Sequence, residues 1–213
     1  EAQGSFSTEA ILDGPKIIRR VVAGSFTPEA AVVIRANVLH ELFGETPRSI
    51  YVFGAGHVGR ALVLALAPLP FAVSWIDQRP DAFPAAVPSN AAVKLMSSPP
   101  AALAAASEGS FILVMTHSHA LDFDIVLAAL KSERFSYVGL IGSETKRARF
   151  LSRLRSTGID EASLRNFVCP IGSPSIRSKL PAIIAASVAA ELIARDEQLR
   201  MASRPLSAAL RTA

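Results

Sequence analysis

The sequence predicts an α/β fold, a doubly wound and mostly parallel sheet of the Rossmann type that follows a short N-terminal α+β segment. The run SIYVF (residues 49–53) suits a buried strand, and glycines in the spacing G-x-G-x-x-G follow it at once, at Gly54, Gly56 and Gly59. A second apolar run ends at Asp77, 18 residues beyond Gly59, close to the roughly 20-residue offset of a ribose-binding carboxylate. Strand and helix patterns alternate from there on, which is typical of βαβ units.

Length and composition allow one domain of this class with a small extra segment. The chain has 213 residues, half of them hydrophobic and only 19% charged, which suits a buried parallel sheet covered by helices. We expect a Rossmann-like domain over residues 48–199. The remnant of an N-terminal segment with a linker is expected over residues 1–47, and a C-terminal tail over residues 200–213.

The composition argues against several kinds of partner. The net charge of +4 is small and its cations are scattered, unlike a nucleic-acid footprint. No apolar run reaches the roughly 20 residues that cross a bilayer, and the first residues lack the pattern of a secretory signal. The single cysteine excludes an internal disulfide and fits a reducing compartment. We therefore expect a cytoplasmic protein without a nucleic-acid or membrane partner.

The elements are predicted from residue patterns along the chain. Before residue 26 we expect short strands or a hairpin, and then a helix over residues 28–43 with Thr27 before it and Pro28 in its first position. Further strands are predicted at 49–53, 71–77, 91–96, 111–116, 136–143 and 166–172. Further helices are predicted from the glycine loop to Ala67, at 99–109 and 122–131, after Ser143, and at 181–198.

Five loops follow the carboxyl ends of the predicted strands. They are 54–59, 77–84, 116–122, 142–147 and 169–174. In an open α/β sheet, ligands bind in the crevice at that edge. We therefore expect these loops to form one site.

The glycine loop has one residue that a dinucleotide site does not require. Gly54 is expected to allow the tight turn, Gly56 the approach of a pyrophosphate, and Gly59 the packing of helix against strand. A close-packed turn without a ligand is the alternative. His57 stands directly after the second glycine, so the loop is expected to do more than hold a pyrophosphate.

An NAD(P)-binding oxidoreductase or sensor module is one interpretation of the segment from Gly54 to Asp77. Asp77 would favour NAD over NADP because its charge repels a 2′-phosphate. Arg79, two residues later, can pair with Asp77 or with a phosphate. However, no serine elbow, catalytic Lys-Tyr pair or acid–base couple is recognisable in the sequence. A site that holds a ligand without converting it fits better.

The stretch THSHALD places His117, His119 and Asp122 in another of the five loops. A zinc site needs three or more protein ligands for each metal, and only four histidines occur in the chain. A two-metal centre therefore lacks ligands, while a single metal held by His57, His117 and Asp122 stays open. The histidines can also donate to a phosphate or a carbonyl group, or be ordinary loop residues.

Two further loops contain polar groups suited to a ligand. Gly142, Ser143 and Lys146 form a second possible anion site at a helix N-terminus, with simple helix capping as the alternative. Cys169 follows an apolar strand; it is either a buried inert thiol or a group that binds a soft metal or carries sulfur. The basic run over 146–155 is either a solvated helix face or a surface for an anion or an acidic partner.

Five motifs follow one another along residues 49–191: FGAGHVGRAL, WIDQRPDAFP, VMTHSHALD, GLIGSETKRARFLSRL, and CPIG with PAIIAASVAAE. Together they resemble the C-terminal domain of xanthine dehydrogenase accessory proteins, the XdhC/CoxI family. The resemblance implies a non-catalytic chaperone that binds molybdenum cofactor (molybdopterin). Such a protein protects the cofactor while a cysteine desulfurase supplies the terminal sulfur, and delivers it to apo-xanthine dehydrogenase.

The resemblance also implies cofactor-binding residues at the family's motif loops. They are Gly54, Gly56, His57, Gly59, Asp77, Arg79, His117, His119, Asp122, Gly142, Ser143, Lys146 and Cys169. The family's usual N-terminal domain is not recognisable in residues 1–47. The oligomeric state stays open, with a homodimer as one option, and a scaffold that binds no cofactor is a third interpretation.

Overall fold

The computed structural model describes residues 6–13, 16–22, 32–35, 38–43 and 47–203. The chain divides into two compact units. One consists of Glu1–Pro47 with Arg195–Ala213, and the other of Arg48–Ala194. All five predicted site loops belong to the second unit.

The first unit contains a four-stranded antiparallel sheet. Its strands are β1 (Phe6–Asp13), β2 (Lys16–Val22), β3 (Val32–Arg35) and β4 (Val38–Phe43). They lie in the order β2-β1-β4-β3. β1 and β2 pair in antiparallel register, so the predicted hairpin is confirmed.

The predicted helix over residues 28–43 is wrong. Its described residues form β3 and β4, which pair in antiparallel register, while Thr27 and Pro28 lie outside the described residues. In β4, Leu39 lies opposite Ala10 of β1, and Glu41 lies opposite Thr8. The Thr8 hydroxyl donates to the Glu41 carboxylate at 3.1 Å. Pairing with a neighbouring strand thus overrides the local helix pattern, because strand preference depends on cross-strand context.

The second unit contains a six-stranded sheet in which every pair is parallel. Its strands are β5 (Arg48–Phe53), β6 (Phe71–Asp77), β7 (Ala91–Leu95), β8 (Phe111–Val114), β9 (Tyr137–Leu140) and β10 (Phe167–Val168). They lie in the order β10-β9-β8-β5-β6-β7. This is the doubly wound order, with its switch point between β5 and β8. The predicted Rossmann-like fold is confirmed.

The described helices lie mainly in the second half of the chain. They are α1 (His57–Leu66), α2 (His119–Lys131), α3 (Glu144–Ser156), α4 (Glu161–Leu164) and α5 (Pro181–Ser203). The segment predicted as a helix at 99–109 is a 3₁₀ helix over Pro99–Ala105. α2 begins three residues earlier than predicted, at His119. α5 continues to Ser203, so the first residues of the predicted tail are helical.

The core holds α2 and α3 against the sheet. All four residues of β8 are fully buried, as expected for a central parallel strand covered on both faces. Phe123 of α2 meets Phe150 of α3 with ring centroids 5.6 Å apart, and Phe150 stacks on Phe167 of β10 at 6.4 Å. Among the described helices, none is both long enough and apolar enough to cross a membrane.

The sheet ladder continues into the predicted site loops at the carboxyl edge. The Met115 N–H donates to the Phe53 carbonyl, and the Ile141 N–H donates to the Val114 carbonyl, each at 2.9 Å. The loops after β5, β8 and β9 therefore begin side by side at the switch point.

Candidate functional site

The three glycines of the glycine loop meet different surroundings. Gly54 has a φ of +118°, and a Cβ there would lie 2.8 Å from the carbonyl carbon of Met115. A Cβ on Gly59 would overlap the carbonyl oxygen of Gly54. Gly56 is exposed, and a Cβ on it would meet nothing within 4 Å. Gly54 and Gly59 are therefore required for packing, whereas Gly56 leaves backbone open to the solvent.

Asp77 binds the glycine loop itself. Its carboxylate accepts hydrogen bonds from the Ala55 N–H at 2.7 Å, from the Arg79 N–H at 3.0 Å, and from the Arg79 guanidinium at 2.9 and 3.0 Å. Burial raises the pKa of Asp77, but these donors and the Arg79 charge outweigh it and hold the pKa at about 2. Both carboxylate oxygens are thus in use, and a ribose would have to displace a donor.

Trp75 and Arg60 fix the rest of the glycine loop. The Trp75 indole, which is 1% exposed, donates to the Gly54 carbonyl at 3.1 Å. The Arg60 guanidinium donates to the carbonyls of Ala55 at 3.3 Å and Ala82 at 2.6 Å. The loop shape is therefore set by the protein alone.

Asp122 and Lys146 form an ion pair between α2 and α3. The Asp122 side chain is fully buried and the Lys146 side chain is 15% exposed, with 2.7 Å between Nζ and Oδ2. The ammonium also donates to the Ile141 carbonyl at 2.9 Å. The other Asp122 oxygen accepts from the Thr116 hydroxyl at 2.7 Å and from the Thr116 N–H at 3.1 Å. Asp122 is thus occupied by protein groups, like Asp77.

An open cleft of about 480 Å³ lies between the starts of α2 and α3. We call it the switch-point cleft. Its lining residues are Thr116, His117, His119, Ile141, Gly142, Ser143, Thr145, Lys146, Arg149 and Phe150. The sequence thus correctly grouped His117 and His119 with the loop from Gly142 to Lys146.

Two helix N-termini border the switch-point cleft. Ser118 caps α2 by accepting from the Leu121 N–H at 3.3 Å, and Ser143 caps α3 by accepting from the Lys146 N–H at 3.2 Å. The first N–H groups of an α-helix have no intrahelical acceptor and carry the positive end of the helix dipole. The cleft is therefore suited to an anion.

The basic run of α3 is mostly paired within the protein. Lys146 binds Asp122, Arg147 lies 3.8 Å from Glu144, Arg155 lies 2.7 Å from Glu161, and the Arg153 guanidinium lies 3.7 Å from the Phe123 ring centroid. Arg149 is exposed and forms no ion pair with any described residue. Its position in the cleft lining makes it available to a ligand. From the sequence it was identified only as one cation of the basic run over 146–155, a possible surface for an anion, and not among the cofactor-binding residues. Arg149 lies four residues after Thr145 in α3, and residues at this spacing share one face of a helix. This spacing was the signal that could have identified it.

Cys169 lies outside the switch-point cleft, in the lining of a second cleft of about 700 Å³. The thiol is 4% exposed. Burial raises its pKa to about 11, and the Lys146 charge opposes this only in part. The thiol is therefore protonated at neutral pH. A Cβ on Gly142 would lie 3.2 Å from Cys169 Sγ, so the two clefts adjoin at Gly142.

The loop after Cys169 is held by α5. The Gly172 N–H donates to the Glu191 carboxylate at 2.5 Å, and the Ser173 N–H donates to the Ser187 hydroxyl at 2.6 Å. Gly172 has a φ of +92°, and a Cβ on it would lie 2.8 Å from Ser187 Oγ. Sequence reasoning did not identify these partners, because they join residues 14 or more positions apart.

The structure does not unite all the predicted residues in one pocket. The glycine loop and Asp77 with Arg79 are absent from the described lining of the switch-point cleft, although a Cβ on Gly54 would lie 3.2 Å from Thr116 Cα. In the described part of the chain, no three His, Cys, Asp or Glu side chains are grouped so as to hold a metal ion. The single-metal alternative with His57, His117 and Asp122 therefore gains no support.

Comparison with known proteins gives matches over most of the chain. A family model described as the XdhC Rossmann domain matches residues 50–192. The uncharacterised protein YqeB of Escherichia coli K12 is 29% identical over 160 residues, which are 74% of this chain and 29% of that protein.

Solved structures are similar to this chain as well, and the one from Bacillus halodurans shows the same fold. A Bacillus halodurans structure described as a xanthine dehydrogenase has a TM-score of 0.69 and 20% identity, and the match covers 96% of this chain and 63% of that one. A Rossmann-fold NAD(P)-binding family protein of Shigella flexneri has a TM-score of 0.46 and 15% identity, over 72% of this chain and 89% of that one. The chain thus spans less than two thirds of YqeB and of the Bacillus chain. Since the family match covers more than half of the chain and confirms the resemblance of its motifs, this protein belongs to the XdhC family through its Rossmann domain.

Proposed function

We propose that this domain binds molybdenum cofactor during the maturation of xanthine dehydrogenase, and that it holds the cofactor through its phosphate in the switch-point cleft. The observation that carries the proposal is the convergence of two helix N-termini and Arg149 on one cleft. Family membership supports the role in maturation.

The residues of the cleft fit a phosphate ester. A phosphate needs several donors and a positive field, which helix N-termini and an arginine provide together. Arg149, His117 and His119 are exposed side chains in the lining and can donate to it. Asp122 does not repel the phosphate strongly, because Lys146 neutralises it at 2.7 Å.

Binding without conversion is the activity that these residues support. The carboxylate beside the cleft, Asp122, is fully buried and paired, so it is not placed to act as a general base. When bound, the cofactor supplies a pterin-held molybdenum centre, whose terminal sulfur comes from a cysteine desulfurase in the role we propose. The protein's own groups bind the phosphate, orient the ligand and limit its exposure to water.

The partners follow from this role. We propose apo-xanthine dehydrogenase as the recipient of the cofactor and a cysteine desulfurase as the sulfur donor, in the cytoplasm. The family description and the description of the Bacillus relative support the first partner. A homodimer stays a prediction that sedimentation of the purified chain would check.

NAD(P) binding is the second candidate function. The strand order and the open backbone at Gly56 favour it. Against it, the carboxylate of Asp77 is already bound by Ala55 and Arg79.

A retention experiment separates the two candidates. Molybdopterin released anaerobically from a molybdoenzyme is mixed with the purified chain, and the protein fraction from gel filtration is assayed for pterin fluorescence and phosphorus. We expect stoichiometric retention. NADH is tested in parallel through Trp75, the one tryptophan in the sequence, whose indole binds the glycine loop. Quenching by NADH without retention of pterin would overturn the proposal and favour the NAD(P) module.

A pair of arginine variants locates the site. Arg149→Gln is expected to weaken retention at least tenfold, since one charge-assisted hydrogen bond contributes about 1.5–3 kcal/mol. Arg165→Gln is the matched control, because Arg165 is exposed and lies outside the lining of the cleft. Equal losses in both variants would show a general charge effect instead.

A further inference from the structure

The cleft that contains Cys169 is large, preformed and not assigned above. It adjoins the switch-point cleft, and both are lined by Ile141 and Gly142. We call it the β10 cleft, because the segment from Phe167 to Pro174 forms one wall, while the first half of α5 contributes Ile184 and Glu191. Its volume of about 700 Å³ is in the range of small-molecule sites, which is roughly 300–1,000 Å³.

The lining of the β10 cleft combines an apolar floor with cations. Phe167 and Ile171 are buried and Ile184 is half-buried, so the floor offers apolar surface. The exposed cations Arg147 and Lys179 also line the cleft; Arg147 lies 3.8 Å from Glu144 of the same lining, so Lys179 is the cation without an ion pair among the described residues. Such a site suits a flat heteroaromatic ring whose edge carries carbonyl and nitrogen acceptors, because the faces pack on apolar groups and the edge accepts hydrogen bonds.

The walls of the β10 cleft are set before any ligand arrives. The loop N–H groups of Gly172 and Ser173 are bound by Glu191 and Ser187 of α5, and they are not available to a ligand. A preformed cleft binds without the entropy cost of ordering its loop. One oxygen of the Glu191 carboxylate accepts from the Gly172 N–H, so this acid is tied to the loop at the wall of the cleft.

We propose that the β10 cleft holds the ring system of the ligand whose phosphate lies in the switch-point cleft, so that the ligand passes over Gly142. This inference rests on the proposed function. Ile141 and Gly142 line both clefts, so the two clefts adjoin along these residues. Gly142 is exposed, and it has no side chain of its own to stand between the two linings, although Lys146 and Cys169 pack close beside it. An acidic, apolar segment of a partner protein is the competing occupant.

The single cysteine makes this inference directly testable. Neopterin phosphate carries a pterin ring and a phosphate without thiols, and alkylation of Cys169 by a maleimide is followed by mass spectrometry. A bound ring blocks the access of maleimide to Cys169, so the alkylation rate falls with the fraction of unliganded protein. We therefore expect about tenfold slower alkylation at a ligand concentration of ten times Kd. Inorganic phosphate at the same occupancy of the switch-point cleft should leave the rate unchanged.

A relocated thiol controls for general stabilisation of the fold. In the variant Cys169→Ser with Ser110→Cys, the thiol lies just before β8, at the opposite edge of the sheet, where Ser110 is 1% exposed. Equal protection at both positions would mean that the ligand only slows opening of the whole unit, and it would overturn the inference. Lys179→Gln should weaken neopterin phosphate about two- to tenfold, while Arg177→Gln, outside the lining, should not.

The outcomes separate this inference from the proposed function. If neopterin phosphate binds and Cys169 is alkylated at the free rate, the ring lies elsewhere and only this inference fails. Protection by added partner protein and not by neopterin phosphate would assign the cleft to a partner segment. Failure to bind neopterin phosphate overturns the inference too, whereas retention of molybdopterin decides the proposed function separately.

Discussion

A buried carboxylate lies beside the glycine loop and another beside the switch-point cleft, but the two carboxylates have different partners. Asp77 binds Ala55 and Arg79, and Arg79 is two residues away in the chain. Asp122 binds Lys146, which is 24 residues away on another helix. In both places the carboxylate stabilises the site and is not free to bind a ligand.

The difference lies in what each pair leaves open. The local pair, Asp77 with Arg79, fixes the shape of the glycine loop, and Gly56 and His57 remain exposed. The long-range pair, Asp122 with Lys146, connects the starts of α2 and α3 and neutralises the negative charge beside the cleft. Arg149 and the N–H groups at the starts of the two helices then provide positive charge at the cleft. An acidic residue in a binding motif can therefore act by positioning the groups that do bind.

The variant with the largest expected effect on stability removes Lys146, the cation of the long-range pair. Lys146→Met leaves a fully buried carboxylate without its partner, and we expect a loss of about 3–5 kcal/mol in the free energy of unfolding. Urea unfolding followed by Trp75 fluorescence measures it. The double variant Lys146→Met with Asp122→Asn should regain most of the loss. A cost below about 1 kcal/mol for the single variant would show that the pair does not brace the cleft.

A second test compares two glycines of the same loop. Gly54→Ala combines a left-handed φ with overlap on the Met115 carbonyl, and we expect a cost of about 3 kcal/mol. Gly56→Ala is the matched control, since its Cβ meets open space and should leave stability within about 0.5 kcal/mol. For the NAD(P) candidate, Gly56→Val should in addition block the approach of the pyrophosphate to the backbone of the glycine loop. Similar unfolding midpoints for Gly54→Ala and Gly56→Ala would contradict this account of the loop.

The local pair is tested by pH. The pKa of Asp77 is about 2 in the fold against 3.8 ordinarily, so its stabilisation is complete above the ordinary value and is lost as pH falls towards 2. The shift corresponds to about 2 kcal/mol. The stability difference between the wild-type chain and Asp77→Asn should therefore narrow by about 2 kcal/mol between pH 5 and pH 2. If the stability difference between the two proteins stays constant from pH 5 to pH 2, the ionised carboxylate of Asp77 does not stabilise the fold.

The smallest expected effect on stability is at the exposed side of the glycine loop. His57→Ala should change the free energy of unfolding by no more than about 0.5 kcal/mol, as for most exposed positions. Since the glycine loop is absent from the described lining of the switch-point cleft, retention of molybdopterin in gel filtration should be unchanged. A fall in retention would show that the ligand extends to His57, as the position of His57 in the family's motif implies.

Local patterns predicted the order of the strands and main helices of the Rossmann-like unit, but not every element: the segment at 99–109 is a 3₁₀ helix, and the strands predicted at 136–143 and 166–172 are only Tyr137–Leu140 and Phe167–Val168. The glycine spacing predicted the turn after β5, and the run FAVSWID predicted β6 to the residue. Ser143 was correctly expected to cap α3. These features depend on residues within a few positions of one another. The helix predicted over 28–43 failed because β3 and β4 owe their conformation to strands that are distant in sequence.

The sequence by itself determined the doubly wound fold, the edge of the sheet where the site loops meet, and the two histidines that line the cleft. Only the tertiary structure decided which polar groups remain available to a ligand. It paired Asp77 with its own loop, Asp122 with Lys146, and Glu191 with Gly172, and it left Arg149 facing the cleft. The physical reason is that a buried charge must be neutralised by whichever partner the fold brings near, and spacing along the chain does not reveal that partner.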